Sequence, residues 1–262
     1  MALQTIRFND GEAYERGMAG WSQLAGRIFL DWLSPASDLR WIDIGCGNGA
    51  FTELIVRHCA PSGVRGIDPS EGQLSYARKR SGAQGVEFLL GDAMALPFGR
   101  EEFDVAVMAL AIFFVPIPAQ GVAEMKRVVR PGGMIATYAW DMLGGGFPFY
   151  PIQVELRALG VTPPLPPSAG ASRSSALRDL WTDAGLEAIE TREIVVRREF
   201  ASFDDFWVSS TGGESIRPTL AAMTEGDVGQ LKARVRARLP VDADGRTVYG
   251  ARANAITGRV PV

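Results

Sequence analysis

The stretch Asp43-Ile44-Gly45-Cys46-Gly47-Asn48-Gly49 decides how the rest of the chain is read. Before it lies Leu39-Arg40-Trp41-Ile42-Asp43-Ile44, a short apolar run that predicts a strand; after it, Phe51-Thr52-Glu53-Leu54-Ile55-Val56 predicts a helix. A strand, a glycine-rich turn and a helix place free backbone N–H groups and a positive helix end at the carboxyl edge of a parallel sheet, where such sheets bind ligands. Glycines there let the backbone approach a ligand closely.

Outward from this turn, apolar runs alternate with helical periodicity from about Leu39 to Trp140. The pattern predicts strands over Val64–Ile67, Val86–Leu90, Phe103–Met108 and Met134–Trp140, with helices from the Ser70 cap to Arg80 and over Pro118–Val129. Such alternation implies parallel strands joined by right-handed crossovers. Gly144-Gly145-Gly146-Phe147-Pro148-Phe149-Tyr150-Pro151 and Pro163-Pro164-Leu165-Pro166-Pro167 argue against ordinary helix or central strand, so residues 141–171 are expected to be a loop-rich insertion. A helix over Ser174–Ala184, a strand over Leu186–Arg197, helical pieces over Phe203–Leu239 and a strand over Thr247–Thr257 complete the reading. Asp10–Leu33 reads as one or two amphipathic helices.

The 27 basic against 30 acidic side chains leave a net charge of −3, which gives no electrostatic footprint for nucleic acid and disfavours an anionic membrane surface. The apolar run Val105–Val115 ends at Pro116, well short of the roughly 20 residues that span a bilayer. Cys46 and Cys59 are too few for a disulfide framework, and Met1–Asp10 lacks a secretory signal pattern, so the expected setting is the cytoplasm. No metal site is expected. The run Lys232-Ala233-Arg234-Val235-Arg236-Ala237-Arg238 is basic at every second position, which on a helix spreads charge around a solvated surface and not into one RNA-binding patch.

The glycine turn has two readings. Gly45, Gly47 and Ala50 satisfy the dinucleotide form G-x-G-x-x-A, and Asp68 lies where that fingerprint wants its ribose acid, which would make the protein a nicotinamide-dependent oxidoreductase. Asp43 favours another ligand, because a carboxylate there opposes a pyrophosphate and suits an ammonium group. Alternatively, Asp43 only caps the turn through backbone N–H groups.

The same segment resembles motif I of the class I S-adenosylmethionine-dependent methyltransferases, and further matches follow in order. Asp68 resembles the acid that accepts the ribose hydroxyls, Gly91-Asp92-Ala93 the adenine-contacting turn, and Pro97-Phe98 with Phe103-Asp104 the lead into the fourth strand. Glu124-Met125-Lys126-Arg127-Val128-Val129-Arg130-Pro131-Gly132-Gly133 is similar to the family's following helix and turn. The resemblance covers about residues 10–142 and is strongest to the branch of ubiquinone-type C-methyltransferases.

The resemblance implies an α/β fold: a doubly wound, Rossmann-like, seven-stranded and mostly parallel sheet, with an antiparallel last strand and helical and loop cap insertions. It implies one domain over 1–262, with a helical lid over 1–36, a cofactor-binding core over 37–142, and substrate-facing insertions over 143–171 and 199–244. The cofactor is S-adenosyl-L-methionine, its product S-adenosyl-L-homocysteine. The implied cofactor residues are Tyr14, Trp21, Asp43, Gly45, Cys46, Gly47, Asn48, Gly49, Asp68, Pro69, Ser70, Gln73, Asp92, Ala93, Met94, Ala109 and Leu110. Tyr14-Glu15-Arg16-Gly17-Met18-Ala19-Gly20-Trp21-Ser22 resembles the helix that folds over the cofactor in this branch, with Tyr14 as a lid residue or, like Trp21, a core residue.

The acceptor is expected to be a small apolar or aromatic molecule, held by Phe113, Phe114, Trp140, Phe147, Phe149 and Tyr150 or leaving these rings as ordinary core. Where the branch often carries two histidines, this chain has Phe113-Phe114. The candidates for a catalytic group are Tyr14 and Asp141, while His58, beside Ile55 and Cys59, suits packing or the surface. A non-catalytic protein that binds the cofactor stays open, as does the oligomeric state.

Overall fold

The computed structural model describes residues 15–213 and 215–262. Seven strands form one sheet: β1 (Arg40–Ile44), β2 (Gly63–Asp68), β3 (Glu87–Leu90), β4 (Phe103–Ala109), β5 (Val129–Trp140), β6 (Glu187–Phe200) and β7 (Thr247–Arg259). Their spatial order is β3-β2-β1-β4-β5-β7-β6. The first five pair in parallel, and β7 runs antiparallel to both β5 and β6. From β1 the chain winds outward to β3, then returns to the other side of β1 as β4. The switch point therefore falls between β1 and β4, where two successive crossovers leave in opposite directions and open a crevice.

Helices cover both faces, which is why the central strands are apolar along their whole length. Trp41, Ile42 and Ile44 of β1 and Val105 to Met108 of β4 are buried. The helices that matter for the crevice are α1 (Gly20–Leu33), α2 (Ala50–Cys59), α3 (Glu71–Ala77) and α4 (Pro118–Val128). Ser70 caps α3 as expected, its hydroxyl accepting from the Gln73 N–H at 3.4 Å. The helix closes at Ala77 instead of Arg80, whose side chain turns to the glycine loop.

Residues 141–171 are more regular than the proline and glycine content suggests. α5 (Tyr150–Ala158) lies inside this stretch, with Pro151 in its first turn. There a missing N–H costs nothing and the fixed φ favours helix entry. β5 likewise starts at Val129, so the expected turn Arg130-Pro131-Gly132-Gly133 is absorbed as an irregularity where pairing jumps from Phe103↔Val129 to Val105↔Met134.

Beyond α6 (Ser174–Asp183), three further helices complete the cap: α7 (Phe203–Thr211), α8 (Arg217–Ala221) and α9 (Glu225–Arg238). The basic run on α9 is solvated, as expected, with its four cations 39–53% exposed, and it is divided between two acidic partners. Arg234 and Arg238, one turn apart, grip Glu155 of α5 at 2.6 Å each, while Lys232 and Arg236 hold Asp204 of α7 at 2.7 and 3.0 Å. Alternate positions fall into two i,i+4 pairs that face two different neighbours. Among the described residues no helix is long and apolar enough to cross a membrane.

Candidate functional site

A cavity of about 720 Å³ lies at the carboxyl ends of β1, β2 and β4. Its wall is built from Asp43 to Asn48, from Asp68 to Ser70 with Gln73, from Gly91 to Met94, and from Met108 to Ala111. Ser22 and Gln23 of α1, Ala50, Phe51 and Leu54 of α2, Tyr138 of β5, Phe114 to Pro116 and Pro167 complete it.

The glycine turn has its shape because three of its residues sit at positive φ: Gly45 at 72°, Gly47 at 53° and Gly49 at 78°. A Cβ on Gly45 would stand 2.5 Å from Cβ of Ala111, so this position is also closed by packing. Around Gly47 the space is open, the nearest atom to such a Cβ being Gln73 Oε1 at 3.9 Å.

Two carboxylates flank the turn. Asp68 ends β2 and is 8% exposed; its Oδ2 accepts the Gly47 N–H and its Oδ1 the Ser70 N–H, both at 2.9 Å. Burial raises its pKa, and the two amides pull the other way. Asp43 is fully buried and accepts the Thr52 hydroxyl at 2.6 Å through Oδ2. Its Oδ1 meets no hydrogen-bond donor among the described residues. Burial pushes Asp43 up to about 7, against the Thr52 hydrogen bond and with the help of the Asp68 charge. The turn amides of Gly45 and Cys46 go to the Ile67 carbonyl and that of Gly47 to Asp68, so Asp43 is not the cap of this turn. Burial, with Asp43 and Asp68 adding to it, also raises the Cys46 thiol well above its ordinary value, which keeps it protonated.

At the other end of the wall, Asp92 is exposed and accepts the Met94 N–H at 2.8 Å. Asn48 is held from outside the cavity: its side-chain Nδ2 donates to Glu15 at 2.9 Å, and its Oδ1 accepts the Ala50 N–H at 3.2 Å.

The structure thus brings together on one wall Asp43, Gly45, Cys46, Gly47, Asn48, Asp68, Pro69, Ser70, Gln73, Asp92, Ala93, Met94, Ala109 and Leu110, together with Phe114. Gly49 lies behind the turn, against Ala77 and Phe88. Trp21 is turned away: it is fully buried 6.1 Å from Phe200 and 6.2 Å from Tyr249, under the Arg198 guanidinium. Its neighbours Ser22 and Gln23 occupy the wall instead, one helical step around α1. Tyr14 falls outside the described residues.

Of the six aromatic residues expected at the acceptor, only Phe114 meets the cavity. Phe113, Trp140, Phe147 and Phe149 are buried elsewhere, the last two in edge-to-face contact at 5.3 Å, and Tyr150 packs against Gly145. Asp141 has another task. Its Oδ2 pairs with Arg252 at 2.5 Å and its Oδ1 accepts the Gly144 N–H at 2.9 Å, so both oxygens hold the loop after β5. The Gly144–Gly146 stretch is tied down by the same pair and by the backbone bonds of Gly146 to Asp141 and Arg252. His58 is exposed in the last turn of α2.

The apolar wall that the sequence reading missed comes from Phe51, Leu54 and Tyr138. Phe51 and Leu54, three apart at the start of the helix after the glycine turn, share one helical face, a signal that periodicity carries. Tyr138 carries no such signal in a strand buried on both sides. Its ring packs 4.6 Å from Phe29 and 5.6 Å from Phe51.

Residues 42–137 match the family described as Methyltransferase domain. The rice (Oryza sativa subsp. japonica) chloroplastic 2-methyl-6-phytyl-1,4-hydroquinone methyltransferase 2 is 40% identical over 108 residues, 40% of this chain and 31% of that protein. A ubiquinone/menaquinone biosynthesis C-methyltransferase of Dinoroseobacter shibae is 30% identical over 140 residues, 52% of this chain and 55% of that protein. The chain therefore spans about half or less of the length of these relatives. Among solved structures, the YcgJ protein of Bacillus subtilis superposes with a TM-score of 0.62 at 17% identity, covering 91% of this chain and 98% of that one, a likeness of fold. Over residues 42–137 the chain is thus similar to S-adenosylmethionine-dependent methyltransferases, the quinone C-methyltransferases among them.

Proposed function

We propose that this protein transfers a methyl group from S-adenosylmethionine to a small apolar or aromatic acceptor. The observation that carries the reading is the placement of two buried carboxyl groups, Asp43 and Asp68, on either side of one glycine turn in one cavity. Asp68 suits the ribose of either ligand, but a dinucleotide pyrophosphate at this turn would meet the Asp43 carboxyl, whereas a nucleoside with an ammonium group at one end and a sugar diol beside it suits both. This is why the nicotinamide-dependent alternative is set aside.

The residues present fit that ligand. Oδ1 of Asp43 is a buried acceptor awaiting a donor, and each Asp68 oxygen, after accepting one amide, keeps a lone pair for a sugar hydroxyl. Asp92 and the Ala93 amide suit the polar edge of an adenine, and Met94 its face. When bound, S-adenosylmethionine supplies a methyl group on a sulfonium, with a neutral thioether as the leaving group. The chain's part is then to orient the partners and exclude water, with no acid required. Phe51, Leu54, Phe114, Val115 and Tyr138 supply apolar wall, which suits an apolar or aromatic acceptor; the hydroquinone named for the rice relative is of that class. We take the chain as one domain whose N-terminal segment and cap close over the cavity, working in the cytoplasm on small molecules without a nucleic-acid or membrane partner.

The test is calorimetric titration with S-adenosylhomocysteine and with NAD, followed by transfer of a labelled methyl group to a panel of hydroquinones and phenols. Binding of the former alone, and label in an acceptor, are expected. Binding of NAD alone would contradict the reading. Cofactor binding without label in any acceptor of a broad panel would turn it toward a non-catalytic binding protein.

A further inference from the structure

β6 forms one rim of the sheet and pairs only with β7. Past an irregularity between Glu187 and Glu190, where Ala188 takes φ 47°, that pairing runs unbroken from Glu190 to Phe200. Among the described residues the outer side of 190–199 has no backbone partner. β5 pairs with β7 only as far as Trp140↔Ala253, so Val195 to Phe200 and their partners Thr247 to Arg252 project beyond it as a two-stranded ribbon. An open edge of this length invites another strand, and proteins commonly blunt one with proline, lysine or a bulge. β6 holds no proline and no lysine, and its one irregularity is confined to its start.

The side chains of this edge are complementary to themselves. Glu193, Val195, Arg197 and Glu199 share one face of the strand and are all exposed, Val195 by 55% and Glu193 by 56%. Arg197 has no acidic partner of its own among the described residues, and Glu193 reaches only the exposed Arg252 at 3.5 Å. Antiparallel pairing of two copies about a twofold axis at Val195 sets each Glu193 opposite Arg197 of the second copy and brings the two Val195 side chains together. The neighbouring registers that keep the faces aligned do neither. An axis at Val196 sets Glu193 against Glu199, and one at Ile194 sets Glu193 against Val195 and Arg197 against Thr191. On the other face Arg192 comes opposite Arg198, whose guanidinium is folded over the rings of Trp21 and Phe200 at 5.3 and 4.8 Å.

We infer that the outer edge of β6 is a dimerisation surface whose partner is a second copy of this chain, joined antiparallel about Val195 so that the two sheets become one. Charge sets the register, and the Val195 pair supplies the apolar contact at the axis. The cavity lies at the ends of β1, β2 and β4, with β5 and β7 between it and this rim, so pairing leaves both cavities open. One strand from each copy is a small interface, and the dimer is accordingly expected to dissociate in the micromolar range. The inference is independent of the proposed function.

The experiment is sedimentation of the full chain from low to high micromolar concentration, for the wild type, Glu193→Arg, Arg197→Glu and the double reversal, with circular dichroism of each to verify the fold. The wild type is expected to shift from monomer to dimer. Each single reversal sets like charges opposite at both symmetric pairs and should raise the dissociation constant at least about 10-fold. The double reversal restores opposite charges and should return to near the wild-type constant. Val195→Lys, which brings two ammonium groups together at the axis, should be monomeric throughout. A wild type that stays monomeric at high micromolar concentration, a dimer indifferent to the single reversals or to Val195→Lys, or a double reversal no tighter than the singles would overturn the inference.

Discussion

Arg80 donates through Nε to the backbone carbonyl of Asn48 at 2.6 Å, joining residues 32 positions apart and pinning the glycine turn from behind. The same guanidinium holds Glu53 of α2 at 2.9 Å and also Glu15, which in turn accepts from the Asn48 side chain. One cation thus ties the turn, the helix after it and the N-terminal segment together. With only 10% of the Arg80 side chain exposed, the network is poorly screened by solvent.

Removing that cation should destabilise the fold and loosen the cavity together. Arg80→Ala leaves two carboxylates facing each other and is expected to cost about 2–4 kcal/mol in urea unfolding. Arg80→Lys should recover only part of it, because a single ammonium cannot span three acceptors in a plane. A change within about 0.5 kcal/mol, the range of ordinary surface substitutions, would show that the network holds nothing.

The three turn glycines should not be equivalent. Gly47→Ala meets open space and pays mainly for the left-handed backbone, about 1–2 kcal/mol. Gly45→Ala adds a clash with Ala111 and should cost at least about 2 kcal/mol more, or prevent folding. Denaturation midpoints of the two variants decide it; equal midpoints would mean that Ala111 moves aside freely.

These contrasts show where a sequence speaks and where it does not. The run Trp41-Ile42-Asp43-Ile44, the glycines and Ser70 announce a strand, a turn and a cap because each signal is local: burial on both faces, positive φ, a side-chain oxygen at a helix start. Asp68 and Asp92 are legible through their fixed distance from the ends of strands. Trp21 is not, because whether an aromatic residue of α1 faces the cavity or the sheet depends on Phe200 and Tyr249, which arrive from β6 and β7. Asp141 reads as an available acid until Arg252, 111 residues later, closes on it. Pro151 reads as a breaker, yet at the first turn of α5 it starts a helix. Glu155 and the alternating basic run are each uninformative alone, since their meaning is the contact between α5 and α9.

That contact has a pH signature. Arg234 and Arg238 hold the Glu155 carboxyl below its ordinary value, so the pair stabilises the folded state above the usual glutamate range and the contribution fades as pH falls through the lowered value. Glu155 is 5% exposed while Arg234 and Arg238 are 42% and 48% exposed and stay solvated without it, so Glu155→Ala should cost about 1 kcal/mol at neutral pH. The gap between wild type and variant should narrow on acidification below the usual glutamate range. A gap that stays constant would mean packing, not charge, joins the two helices.

Asp43 should give the opposite slope. Its folded pKa of about 7 lies above the ordinary value of 3.8, so the folded protein binds the proton more tightly than the unfolded chain does. Stability contributed by this group is full below about pH 4 and is lost as pH rises to about 7, by on the order of 4 kcal/mol in all. Asp43→Asn should flatten that part of the stability profile. A ligand ammonium beside Asp43 would favour the ionised form, so S-adenosylhomocysteine binding near pH 7 should release a proton, visible as a binding heat that varies with the ionisation heat of the buffer. An identical slope in Asp43→Asn would contradict the assignment.

The central claim is that Asp68 receives the sugar of S-adenosylmethionine in the cavity beside the glycine turn. Its most direct measurement is titration calorimetry of S-adenosylhomocysteine into wild-type protein and Asp68→Ala, with unfolding of each followed without ligand. The account predicts saturable one-to-one binding by the wild type and a loss of at least about 100-fold in the variant, the scale of charge-assisted hydrogen bonds lost together. A folded Asp68→Ala protein that binds with wild-type affinity would contradict it.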